Sequence, residues 1–209
     1  MFEYISQHPI AGVALVLLAV LTFFVCVKAV LASKKRTEER ERIIADIEKE
    51  KALRKEFKYI DETTFAQGKD DCRLVMGMCA HIQQKIEKAE DMTSAFCELS
   101  EAKRYIYAIG YVFEDSRNGL SEFFRSNGEP LLSTAEKAVK EIIGGRFAEL
   151  FSSECVMLDE NDETTSVDNE ALDKMDEEFK LLLEENGRDI YATVAEYIRQ
   201  NKPEFLSDI

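Results

Sequence analysis

The 209-residue chain contains only two histidines, five cysteines and no Cys-x-x-Cys pair. His8 and His81 are far apart, so neither joins a carboxylate constellation for metal binding or nucleophilic catalysis. His81 stands alone on a helical stretch and reads as structural. Cys26, Cys72, Cys79, Cys97 and Cys155 are odd in number, which argues against a disulfide framework or a thiolate zinc site. Reduced, mostly buried thiols in a cytoplasmic domain are the simpler account. A P-loop, a dinucleotide fingerprint, an internal repeat and a low-complexity tract are all missing. Gly77, in Met76-Gly77-Met78, lies inside a helix-period stretch and reads as a packing glycine. Adjacent carboxylates such as Glu114-Asp115 or Asp176-Glu177 are expected by chance in so acidic a chain. The sequence therefore offers no catalytic, metal or cofactor residues, and we expect a protein that is not an enzyme and carries no cofactor.

Positive charge is also scarce. Twenty-seven Lys and Arg face forty-one Asp and Glu, a formal net charge of -14. Direct binding to nucleic acid, which demands clustered cations, is disfavoured; a basic protein partner fits better. The imbalance is local. Residues 34 to 60 carry ten basic and seven acidic side chains, whereas residues 61 to 209 carry sixteen basic and thirty-three acidic. The densest run, 151 to 186, sets thirteen acids against Lys174 and Lys180 alone.

What the N-terminus has is a long apolar run. Ile10 to Val27 is uncharged, and beyond Lys28 the run continues to Ala32. Twenty-three helical positions reach roughly 34 Å at about 1.5 Å each, enough to cross a bilayer core. Ser33-Lys34-Lys35-Arg36 follows at once, while the first eight residues hold no Lys or Arg. By the positive-inside rule the chain is a single-pass protein of the cytoplasmic membrane, with residues 1–8 outside and the C-terminal domain cytoplasmic. A cleaved signal peptide is the competing reading, but the run is too long and its start lacks positive charge. Cys26 near the inner leaflet is a lipid-facing thiol or a palmitoylation site.

The expected organisation is all-α: residues 1–8, a transmembrane helix at 9–32, a charged juxtamembrane helix at 33–60 and an acidic helical domain at 61–209. In the 33–60 segment Ile43, Ile47, Leu53 and Phe57 form only a broken stripe, so it reads as a spacer. Within the domain, no alternating pattern long enough for a confident strand occurs. Leu74, Met78, Ile82 and Ile86 repeat at i,i+4 within 68–89 and form one apolar face. Ser100 is placed to cap a second helix carrying Tyr105, Ile106, Ile109, Val112 and Phe113. Asn118-Gly119 and Ser126-Asn127-Gly128 bracket a short helix at 120–124. Helices are then expected at 135–143, 147–157, 170–185 and 189–200, with an acidic loop at 159–169 and a stop at Pro203, giving a bundle of about six helices. Asp159, Asn161, Glu163 and Glu170 stand at calcium-loop spacing, but Thr164 occupies the obligatory glycine position, so an exposed acidic loop is the reading kept.

One stretch bears a resemblance. Phe113-Glu114-Asp115-Ser116-Arg117-Asn118-Gly119-Leu120-Ser121-Glu122-Phe123-Phe124, followed by Ser126-Asn127-Gly128, resembles the signature of the DNA-mimic-protein domain family. That signature runs Glu-Val, two variable or Asn positions, Gly-Gly-Phe, one variable position, Gln and an aromatic pair, then a turn containing Ser and Gly. The stretch Ala171 to Phe179, with Ile190-Tyr191, Tyr197-Ile198, Asn201 and Pro203-Glu204-Phe205, is similar to the family's C-terminal part. The likeness spans roughly residues 61 to 206. Here Asn118 replaces the first Gly, Leu120 the Phe and Glu122 the Gln, with Asn118 tolerant of a left-handed backbone. The motif residues taken as structural are Glu114, Asn118, Gly119, Leu120, Glu122, Phe123, Phe124 and Gly128.

The resemblance implies a surface on which carboxylates stand where a duplex carries phosphates. The candidate partner-binding acids are Asp159, Glu160, Asp162, Glu163, Asp168, Glu170, Asp173, Asp176 and Glu177. Two functions stand as expectations: a membrane-tethered, non-catalytic module that captures a basic protein, with nucleic-acid-binding proteins the candidate class, or an immunity-type or envelope-associated protein that binds one target by shape. A merely solubilising acidic surface is the bland alternative.

Overall fold

The computed structural model describes residues 43–66, 70–159 and 169–206, with single positions at 22, 28, 34, 36, 37, 40 and 41 before them. Residues 9–32, expected to span a membrane, lie otherwise outside the described residues. Among those described, no helix is long and apolar enough to cross a membrane. The chain divides into two units, Met1–Lys51 and Ala52–Ile209. In the first, residues 43–51 are helical, with Ile43, Ile44 and Ile47 exposed.

The second unit is all-helical across its described residues. After the helical residues 52–56 and a 3-10 turn at Glu62–Phe65 come α1 (Asp71–Ile86), α2 (Met92–Glu98), α3 (Glu101–Asp115), α4 (Leu120–Ser126) and α5 (Leu131–Ala138). A π-helical turn at Val139–Ile143 follows, then α6 (Gly145–Asp159), α7 (Asn169–Gln200) and α8 (Lys202–Leu206).

The predicted face of α1 is the face that folds inward: Leu74, Met78, Ile82 and Ile86 are all buried. Helix α3 is covered on more sides, burying Ala102, Tyr105, Ile106, Ala108, Ile109, Val112 and Phe113. It packs on α1, α5 and α4, which makes it the centre of the core, while α7 lies across α1, α4 and α6. Burial of this kind contributes about 1.5–3 kcal/mol per large apolar side chain. Gly77 has the packing role expected of it, because a Cβ there would overlap the Phe57 ring. His81, also as expected, is internal: its Nδ1 donates to the Phe57 carbonyl at 2.7 Å. Bidentate Arg54–Glu87 contacts, Arg73–Glu56 and Arg199–Asp71 tie the helices at their rims.

Several boundaries differ from the sequence expectation. The stretch expected as two helices, 170–185 and 189–200, is the single 32-residue α7. Asn186-Gly187 does not break it, because Leu182 and Leu183 before the glycine and Ile190 after it pack on the same core. Pro203 does not merely stop a helix; it sits in the first turn of α8, where its missing N–H costs nothing. Helix α2 was not expected. It is seven residues long, too short to show a period, and is started by Asp91, whose carboxylate accepts from the Thr93 and Ser94 amides. Ser100 occupies the cap position of α3 as expected, yet its hydroxyl makes no capping bond.

Candidate functional site

The acidic run emerges partly on α7. Glu170, Asp173 and Glu177 lie exposed on its first turns, while Leu172 and Phe179 on the opposite side are buried. Glu160, Asp162, Glu163 and Asp168 lie outside the described residues; Asp159 ends α6, and nothing is described of its side chain. Cations partly neutralise the α7 face. Lys174 Nζ reaches Glu170 Oε1 at 2.8 Å and Lys180 Nζ reaches Glu177 Oε2 at 3.7 Å. Arg146 forks onto Glu178 at 2.7 and 2.9 Å, and this guanidinium holds the Glu178 carboxyl below its usual range. Such exposed pairs contribute only about 0–1 kcal/mol each.

Asp176 departs from that face. It is half-buried, and its carboxylate accepts from the Ser121 amide at 2.8 Å and the Ser121 hydroxyl at 2.6 Å. It therefore caps the N-terminus of α4 from a neighbouring helix, where an anion meets the free amides and the positive end of the helix dipole. The docking role expected of Asp176 conflicts with this use of its oxygens; Glu170, Asp173 and Glu177 keep theirs outward.

The motif residues explain how the cap is built. Gly119 has φ 149° and ψ 152°, a conformation essentially restricted to glycine. A Cβ there would also stand 2.5 Å from Asp176 Oδ1 and 2.7 Å from Oδ2. The left-handed tolerance invoked for Asn118 is not used, since no described non-glycine residue has positive φ. Instead Asn118 Nδ2 donates to Glu122 across the first turn of α4, at 3.0 and 3.2 Å. This gives Glu122, in place of the family's Gln, a partner that suits an acceptor. Leu120 and Phe123 are fully buried, and Phe124 is half-buried. Both phenylalanines meet Phe151 of α6, with ring centroids 5.7 and 4.8 Å away. Asn127 pins the far end of α4 through Asp115 at 2.8 Å and the Phe123 carbonyl at 2.9 Å. Glu114 is exposed on α3, and Gly128 accepts the Leu131 amide with its carbonyl.

A fully buried acid lies on α6, outside the residues the sequence singles out. Glu154 on α6 is fully buried, and neither of its carboxyl oxygens has a hydrogen-bond partner. Burial, reinforced by the charge of Asp176 and opposed by Arg125, pushes its carboxyl up to about 8. The signal was present: Phe147, Leu150, Phe151 and Glu154 share one helical stripe, as do Leu172, Asp176 and Phe179. In both helices an acid interrupts an apolar row.

Elsewhere, a shallow groove of about 480 Å³ is lined by Glu141, Ile142, Ala192, Thr193, Glu196, Tyr197 and Gln200. The Tyr105 hydroxyl lies beside it, 3.1 Å from Glu141 and 3.2 Å from Glu101. No group of three or more His, Cys, Asp or Glu suited to a metal ion occurs among the described residues.

No curated protein and no solved structure is matched by the sequence. A family model described as DMP19-like protein matches residues 97–201, half of the chain, beginning in α2 and ending just past α7. Those bounds enclose α4, the aromatic contacts onto Phe151 and the Asp176 cap, and they establish that the chain belongs to the DMP19-like protein family.

Proposed function

We propose that the chain is a membrane-tethered, non-catalytic binding module whose acidic domain captures a basic protein, with DNA-binding proteins the favoured class. The observation that carries this reading is the outward row on α7. Glu170, Asp173 and Glu177 are exposed at helical i,i+3 and i,i+4 intervals, and Glu184 continues the row two turns on. Neighbours at those intervals stand roughly 5–6 Å apart, a regular array of negative charge of the kind a cationic nucleic-acid-binding surface meets on a duplex. Membership of the DMP19-like family supports a protein-binding role in general. The tether rests on the apolar run 10–32 and the cations that follow it. Anchoring would confine the partner to the cytoplasmic face of the membrane and raise its local concentration there.

A second reading has its own support. Leu181 occupies the position between Glu177 and Glu184 on the same face and is 49% exposed. An apolar anchor inside an acidic row suits an immunity-type or envelope-associated protein that fits one target by shape. Crosslinking in intact cells, with residues 9–32 present and deleted, identifies the partner. Charge reversal of Glu170, Asp173 and Glu177 should abolish an electrostatic capture and spare a shape-driven one, whereas Leu181→Ala should do the opposite. A partner that is acidic, or capture that ignores salt, overturns the first reading.

A further inference from the structure

Glu154 and Asp176 are the two acids that interrupt the buried stripes of α6 and α7, and both elements pack on α4. Asp176 has its oxygens committed to Ser121. Glu154 is fully buried on α6, three residues from Phe151, and neither of its carboxyl oxygens has a hydrogen bond. A buried carboxyl with nothing to donate to its oxygens is tolerable only while it keeps its proton. Among the described residues, the charges that act on it are Asp176 from α7, which raises it, and Arg125 from α4, which lowers it.

We propose that Glu154 and Asp176 form a proton-gated latch on α4. While Glu154 is protonated, the Asp176 carboxylate holds the Ser121 amide and hydroxyl. When Glu154 gives its proton to solvent, its new charge is drawn to Arg125 and repelled by Asp176, and Asp176 swings outward and releases α4. The upward displacement of the Glu154 carboxyl, close to cellular pH, puts the change where modest alkalinisation reaches it. Released, Asp176 joins Asp173 and Glu177 on the outer side of α7. The latch stands whether or not that side binds a partner.

The test uses the full chain in detergent micelles. Hydrogen–deuterium exchange of residues 120–126 is followed from pH 6 to pH 9.5 in the wild type and in Glu154→Gln, the neutral isostere. A coupling of one pKa unit between the two carboxylates corresponds to about a tenfold change in the latch equilibrium. Protection of α4 in the wild type should therefore fall about tenfold relative to Glu154→Gln across the titration. Parallel profiles of the two proteins overturn the proposal. Carbon-13 NMR of the Glu154 carboxyl in the wild type checks it without any substitution. A midpoint between pH 7 and 9 supports the latch, and one in the ordinary carboxylate range overturns it.

Discussion

Gly119→Ala is the sharpest perturbation of the motif. At φ 149° and ψ 152° an alanine pays about 1–3 kcal/mol in backbone strain. Its Cβ also lands against the Asp176 carboxylate, 2.5 Å from Oδ1, so the carboxylate must leave. The two hydrogen bonds to Ser121 then go, and bonds to a charged group are each worth about 1.5–3 kcal/mol. With partial rehydration of the displaced acid, the total is about 3–5 kcal/mol, a large share of the roughly 5–15 kcal/mol that holds a domain together. Urea unfolding followed by circular dichroism measures it, and the midpoint should drop by about 2 M at a typical slope near 2 kcal/mol/M. A double-mutant cycle separates the two terms. In an Asp176→Ala background the cap is already lost and the clash is gone, so Gly119→Ala should cost only about 1–3 kcal/mol more. A loss below 1 kcal/mol for Gly119→Ala alone, or full additivity of the two substitutions, refutes the reasoning.

Three further outcomes are expected. Phe151→Ala, which empties the site against which Phe123 and Phe124 pack, should cost about 3–5 kcal/mol in the same assay. Burial raises the Glu154 carboxyl in the folded state to about 8, from an ordinary carboxylate value of 4.5. Its protonated form thus stabilises the fold fully below the unfolded value, and that stability is lost as pH rises through the folded one. Wild-type stability should accordingly fall relative to Glu154→Gln by about 1.4 kcal/mol per pH unit over that window, read from urea midpoints at each pH. Finally, Cys72 and Cys97 are exposed while Cys79 is buried, with its thiol pushed up to about 12 by burial, so iodoacetamide at pH 8 should alkylate Cys97 and, more slowly, Cys72, whose thiol is raised by burial and by Asp70, and leave Cys79 unmodified by mass spectrometry.

The elements legible in the sequence were those whose local pattern and tertiary role agree. The Leu74–Ile86 stripe, the long apolar face of α3 and the Asn118-Gly119 break each carry their own periodicity or turn chemistry, and each is where the sequence places it. Helix α2 and the π turn carry no period of their own. The continuity of α7 through Gly187 comes from packing on both sides of the glycine, which overrides a local preference of about 1 kcal/mol. The candidate face was legible only as charge. Counting acids locates a negative segment, but it does not distinguish Asp173, which points out, from Asp176, which turns in to cap α4. Phase does: Asp176 is four residues from Leu172 and three from Phe179, and Glu154 is three from Phe151. An acid in phase with an apolar stripe is a candidate for a buried task, and one out of phase for a surface task.

The measurement that bears most directly on the acidic row is the salt dependence of partner capture by the full chain and by the triple variant Glu170→Lys, Asp173→Lys, Glu177→Lys. A basic partner should be held at low salt, released at high salt, and lost by the triple variant while the variant's urea midpoint stays near wild type. Capture by the triple variant equal to wild type, or capture unchanged by salt, would contradict it.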